Sequence, residues 1–255
     1  MNYHFYHLRR SGSHAVVEWV MRHFDGSSGL TNNMKSSPVR KFHTTHMMVD
    51  GSFVDRDTKR DVVAEDAGEY RWKKDRTFLT YEDWEDPYEI WAESLTKNQQ
   101  WILGFGDHFW FGCIRSFRNN AASRVKISRT RGQNMTHGFT LRFVEDWKRL
   151  ATLALSRPQI IRYDLMVTDT LYRDEIRDEL GLDFVNAQRA DEGLRIQAHV
   201  PYGGRGSTFD GRVPDARQLE VTTRWRQMQH DPWMRDYVLN DKEALELDDA
   251  LFRQA

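Results

Sequence analysis

Apolar positions recur with two periods along the chain, and the changes of period mark its elements. Residues 3–8, Tyr-His-Phe-Tyr-His-Leu, form a short aromatic run that reads as a strand. Arg9-Arg10-Ser11-Gly12-Ser13-His14 follows, and then Ala15, Val16, Trp19, Val20 and Phe24 fall on one helical face. The pattern predicts a strand, a tight glycine turn and a helix to about Phe24, ended by Asp25-Gly26-Ser27-Ser28-Gly29. Leu30 to Met34 reads as a short second strand. His43 to Val49 and Ser52 to Val54 flank Asp50-Gly51, the signal of a small β-hairpin inserted on the main sheet. Arg76 to Tyr81 reads as a strand ending at Glu82-Asp83, and Pro87 starts a helix through Leu95.

The continuous apolar run His108 to Ile114 fits a strand buried on both faces, ending at Arg115-Ser116. Phe117 to Ile127 reads as a helix, Ser128 to Gly138 as a basic loop, and Phe139 to Leu155 as an amphipathic helix stopped by Pro158. Gln159 to Tyr163 reads as a strand ending at Asp164, and Tyr172 to Leu180 as a helix closed by Gly181. Val185 to Pro214 reads as loop, Gln218 to Gln229 as helix, and Glu243 to Phe252 as a charged terminal helix. Alternating strands and helices predict an α/β fold: a parallel sheet of about five strands flanked by helices, in a P-loop-type three-layer sandwich with a helical C-terminal part. No shift of composition marks a boundary, so residues 1–255 read as a single domain.

Composition adds limits. Of 255 residues, 39% are hydrophobic and 13% aromatic, enough for a substantial core. The 37 basic and 38 acidic side chains leave a net charge of −1, which argues against a generally cationic nucleic-acid binder. Cys113 is the single cysteine; it lies in an aromatic run and reads as a buried core thiol in a reducing compartment. No run of about 18 apolar residues predicts a membrane span. The N-terminal run, interrupted by His4 and His7, is too short for a signal peptide, so a cytoplasmic location is expected.

Ligands of open parallel sheets bind beyond the carboxyl ends of the strands. Here those ends are Arg9 to His14, Glu82-Asp83, Arg115-Ser116 and Asp164. A strand, a glycine turn and a helix start present backbone N–H groups and a positive dipole end at Arg9 to His14. That is an anion site for phosphate or sulfate, or else an ordinary turn with a serine N-cap. Arg115, with Ser123 eight residues later on the next helix, forms a second candidate station for an oxyanion, or a helix-end ion pair and a surface serine.

Together the stations resemble the sulfotransferase family that uses 3'-phosphoadenosine 5'-phosphosulfate (PAPS). Arg10-Ser11-Gly12-Ser13 is similar to that family's 5'-phosphosulfate loop, in the spelling of many carbohydrate sulfotransferases. His14 stands where a second hydroxyl is common. Arg115 and Ser123 match the spacing of the 3'-phosphate ligands, although Arg115-Ser116-Phe117 replaces the family's Arg-Asp-Pro. Ile161-Arg162-Tyr163-Asp164-Leu165 with Leu180-Gly181-Leu182, and the loop containing Arg205-Gly206-Ser207, are softer matches. The resemblance implies sulfuryl transfer from PAPS to an acceptor hydroxyl or amine. Arg9, Arg10, Ser11, Gly12, Ser13, His14, Arg115, Ser123, Arg205, Gly206 and Ser207 would bind the donor. Arg10, Glu82 and His14 are the candidate catalytic residues, Glu82 as the general base. No metal ligand set is expected, nor a nucleic-acid or membrane partner. The acceptor is a small molecule or, by motif spelling, a carbohydrate. Two alternatives remain at this level: a P-loop kinase or nucleotide-binding protein, although the turn lacks the Gly-x-x-x-x-Gly-Lys-(Ser/Thr) cradle, and a non-catalytic binding protein with the same fold.

Overall fold

The computed structural model describes residues 1–31, 46–50, 52–55, 64–66, 69–71, 75–83, 108–130, 132, 137–196 and 222–253. Its sheet strands are β1 (Asn2–His7), β2 (Ser27–Thr31), β3 (His46–Val49), β4 (Ser52–Asp55), β7 (Arg76–Glu82), β8 (His108–Ile114) and β9 (Ile160–Arg162). A separate small pair comprises β5 (Ala64–Asp66) and β6 (Glu69–Arg71). The main sheet runs β4-β3-β2-β7-β1-β8-β9. Five strands, β2, β7, β1, β8 and β9, pair in parallel, and the predicted hairpin β3–β4 extends the β2 edge antiparallel. Strand β1 is central: His7 lies level with Glu82 of β7 and Cys113 of β8. The carboxyl ends of the chemistry-bearing strands therefore share one rim.

Every residue of β1 is buried, so alternate side chains feed opposite cores. Tyr3 and Phe5 join Phe78, Phe111 and Cys113 beneath α1 (Ser13–Met21), α4 (Tyr163–Thr168), α5 (Thr170–Leu180) and α6 (Ala187–Ile196). Tyr6 joins Tyr81 and Ile114 on the other face. There it meets α2 (Phe117–Thr130), α3 (His137–Ser156) and α7 (Lys242–Phe252). The polar His4 of this face is satisfied: its Nδ1 and the Tyr81 hydroxyl share a hydrogen bond of 2.8 Å. Helices on both faces of a parallel sheet, with a helical C-terminal part, are the α/β layering that the alternating pattern predicts. No helix among the described residues is long and apolar enough to cross a membrane.

Several expectations are corrected. Helix α1 stops at Met21, and Ser27 to Gly29, read as a helix-ending turn, begin β2. There Asp75 accepts from both the N–H and the hydroxyl of Ser27, and ladder pairing with β7 overrides the turn-like composition. Strand β9 ends at Arg162, and Asp164 lies in the first turn of α4. Tyr163, Met166 and Val167 are buried at helical spacing, a period that a short apolar run does not reveal. The supposed loop from Val185 contains α6. Gly193 permits close approach of α6 to the end of α1: a Cβ there would lie 2.3 Å from Arg22. Within the supposed helix 218–229, the described residues form a short 3-10 turn, Arg224–Met228. At the amino end of β8, Phe109 is 44% exposed, so burial on both faces holds only for the later part of that strand. The helix expected from Pro87 and the glycine-containing loop at Arg205 lie outside the described residues.

Candidate functional site

Two left-handed residues shape the turn between β1 and α1: Arg10 has φ 69° and Gly12 has φ 86°. The Ser11 N–H donates to the Leu8 carbonyl at 3.2 Å, and the Val16 N–H to the Gly12 carbonyl at 3.3 Å. Gly12 is therefore the N-cap of α1, and no side chain caps the helix, which corrects the serine-cap alternative. The first-turn N–H groups and the positive dipole end point into the turn. Residue 12 must be glycine for two reasons. Its φ is positive, and a Cβ would lie 2.4 Å from the Tyr163 ring.

The second station meets the first. Arg115 Nη1 donates to the Arg10 carbonyl at 3.4 Å, and Arg10 Nε donates to Ser123 Oγ at 3.4 Å. Arg115 is only 4% exposed and stacks over Tyr163, 5.4 Å from the ring centroid. Its Nε lies 3.8 Å from Asp164 Oδ1. Among the described residues, Arg115 Nε and Nη2 and the fully buried Ser11 Oγ make no hydrogen bond. A buried donor left unsatisfied costs about 1–3 kcal/mol. Guanidinium and hydroxyl donors concentrated at a helix start fit a phosphate or sulfate oxyanion. Burial pushes the Asp164 carboxyl above its ordinary range despite Arg115 and the Ser116 N–H.

The two flanking arginines diverge. Arg10 faces Ser123, whereas the exposed Arg9 lies over the end of β7, 3.4 Å from Glu82 Oε2 and 3.7 Å from Asp83 Oδ2. Glu82, half-buried and level with His7, thus stands one strand away from the turn. Ser13 is buried at the first position of α1. His14 is exposed to solvent yet crowded by protein. That desolvation, with the Arg10 charge, holds its pKa below the ordinary histidine value. His7, fully buried beneath the turn, is pushed down to about 3 by desolvation. Burial raises the Cys113 thiol, which donates to the Ser11 carbonyl at 3.4 Å, in keeping with a core thiol. Arg205, Gly206 and Ser207 lie outside the described residues. No group of three or more potential metal-ligating side chains occurs among the described residues.

Four further residues outside the predicted set shape this site. Arg124, within the helix predicted from Phe117 to Ile127, is 3% exposed on α2. Its Nε donates to the Arg9 carbonyl at 3.1 Å and its Nη2 to Asp83 Oδ1 at 2.5 Å. Asp83 Oδ1 also accepts the Arg9 N–H at 2.8 Å, so this pair braces the turn from the β7 side. Burial works to raise the Asp83 pKa, but the charge of Arg124 and the Arg9 N–H outweigh it and hold the carboxyl low. Arg224, also buried, brings a further positive charge to bear on Tyr163 and Asp164. Tyr163 forms the wall between Gly12 and Arg115. The available signals were adjacency, of Arg124 to Ser123 and of Asp83 to Glu82.

No protein-family model matches the sequence, and no curated protein matches it. Among solved structures, the chain is similar to mouse sulfotransferase SULT7A1 complexed with PAP, with 13% identity and a TM-score of 0.48. The overlay covers 100% of this chain and 85% of that one. At that similarity, the fold class rests on this chain's own strand order and helix layers.

Proposed function

We propose that the chain is a PAPS-dependent sulfotransferase that transfers a sulfuryl group to an acceptor hydroxyl or amine, with a carbohydrate as the favoured acceptor class. The observation that carries this reading is the meeting of the two arginine stations, Arg10 on Ser123 and Arg115 on the Arg10 carbonyl. Two stations 105 residues apart in sequence, the first similar to the family's spelling and the second to its Arg–Ser spacing, converge at one rim of the sheet.

Sulfuryl transfer moves charge along an in-line oxygen–sulfur–oxygen axis, so positioning and electrostatic stabilisation are the protein's main tasks. Arg10 and the N–H groups of the first turn of α1 stabilise the charge growing on the leaving phosphate oxygen. Ser11 and Ser13 supply hydroxyl donors to the same group. Arg115 and Ser123 read a second phosphate. Glu82 takes the proton of the acceptor, and His14 contacts the donor. The same contacts favour a second reading. The two stations lie very close, and Asp164 already stands beside Arg115. This closeness suits a single oxyanion, as in a nucleotide-binding protein of the P-loop kind or a non-catalytic binder.

Turnover with sulfur-labelled PAPS over a broad panel of sugar, phenol and amine acceptors tests the proposal. Label is expected to move to at least one acceptor class, and Arg10→Ala is expected to slow transfer by about a hundredfold, typical for loss of one oxyanion-stabilising donor. Donor binding without transfer to any acceptor would favour the non-catalytic reading.

A further inference from the structure

Arg115 and Ser123 hang from opposite sides of one corner, where β8 turns into α2. Side chains from three helices pin the backbone of that corner. The Trp147 indole N–H on α3 donates to the Arg115 carbonyl at 2.9 Å. The Ser116 N–H donates to Asp164 Oδ2 on α4 at 2.7 Å. The Phe117 N–H donates to Asp248 Oδ1 on α7 at 2.7 Å. Asp248 is 2% exposed, and its Oδ2 accepts from Ser116 Oγ at 3.4 Å and from Arg118 Nη1 at 2.9 Å. The last helix thus reaches across 131 residues of sequence to hold the first N–H of α2. Within the chain, a serine at position 116 has the chemistry of a local N-cap. Its hydroxyl is instead engaged by Asp248 and by the Asn119 amide at 3.3 Å.

We propose that Asp248 is a positioning residue for the second anion station: from α7 it fixes the Arg115-Ser116-Phe117 corner, and so sets where Arg115 and Ser123 stand relative to the turn. This rests on the reading of Arg115 and Ser123 as ligands of a nucleotide 3'-phosphate. A carboxylate at the start of α2 also opposes the positive end of that helix dipole, so its removal loosens the corner, while among the described residues Asp248 itself bonds to residues 116–118 and not to the turn after β1. The anion site is therefore completed by the C-terminal helix, far from the glycine turn in sequence.

The test compares two probes, 3'-phosphoadenosine 5'-phosphate and adenosine 5'-phosphate, by calorimetric titration of the full chain. Asp248→Ala removes all three of its hydrogen bonds to residues 116–118 and, by freeing the corner, is expected to weaken the bisphosphate by about tenfold. It is expected to leave the monophosphate within about twofold, since the hydrogen bonds of Asp248 run to residues 116–118 and none runs to α1 or Arg10. Asp248→Asn keeps an oxygen for the Phe117 N–H and is expected to restore bisphosphate affinity to within about threefold of wild type. Should the alanine variant fail to fold, Asp248→Glu, which keeps the charge but displaces the carboxylate by one methylene, carries the comparison and is expected to show the same selective loss on the bisphosphate. Equal losses on both nucleotides in any of these variants, or no loss in the alanine variant or its glutamate stand-in, would overturn the positioning role alone. Wild-type chain that does not prefer the bisphosphate would overturn the 3'-phosphate reading, and the positioning role with it.

Discussion

Gly12 concentrates the physics of the candidate site in one residue. A side chain there meets a left-handed backbone and the Tyr163 ring at once. The strain of a non-glycine residue at that φ costs about 1 kcal/mol, and overpacking against a ring that starts α4 costs about 1–3 kcal/mol more. Gly12→Ala is therefore expected to lower stability by about 2–4 kcal/mol and to abolish nucleotide binding even where the variant stays folded. Denaturant unfolding and titration together check this, and unchanged affinity would show that the turn does not hold the ligand. The need for glycine was legible in Arg10-Ser11-Gly12-Ser13, because a turn between strand and helix calls for it. The roles of Arg124 and Asp83 were not legible. Nothing local distinguishes a buried arginine bracing the Arg9 carbonyl from the exposed Arg129 further along the same helix. Burial comes from the packing of α2 against the sheet, and the positive φ of Asp83 comes from the end of β7.

Among the elements, α1, α5 and α6 are joined by a buried polar network. Arg177, 2% exposed on α5, donates to His23 Nε2 at 3.1 Å and pairs with Asp174 and with Asp191 of α6. His23 shares a hydrogen bond of 2.9 Å with the Trp19 carbonyl. A ring nitrogen that accepts from a guanidinium must be unprotonated, and desolvation pushes the His23 pKa from 6.5 to about 4. The folded value lies below the unfolded one. The stabilisation is therefore complete above pH 6.5 and is lost as the pH falls toward 4. Its upper bound is about 3 kcal/mol. His7, depressed in the same direction, adds to that acid limb. His23→Gln is expected to flatten the fall in unfolding free energy between pH 7 and pH 5, measured by urea titration; an unchanged slope would contradict this. Element type was legible where the period was long or the apolar run continuous, as in α3 and β8. It failed where a short run fitted two periods, as at Tyr163 to Val167, and in α6, which lies within a stretch read as loop.

At the scale of the whole molecule, the β2-β7-β1-β8-β9 order brings the ends of β7, β1 and β8 to one rim, with α4 starting beside them. Residues 10, 115 and 123, far apart in sequence, become neighbours only through that order. Alternation of strands and helices predicted a parallel sheet but not which strands would be adjacent, so the contact between the two stations came from tertiary pairing. The central claim is that this rim binds a nucleotide with separate 5' and 3' oxyanions, the form that a sulfuryl donor leaves behind. Its most direct test is calorimetric titration of the full chain with 3'-phosphoadenosine 5'-phosphate, set beside ATP with Mg²⁺. The bisphosphate is expected to bind without added metal and at least about tenfold tighter than ATP, a margin of about 1.4 kcal/mol from one satisfied phosphate. Tighter binding of ATP with Mg²⁺ would contradict the claim.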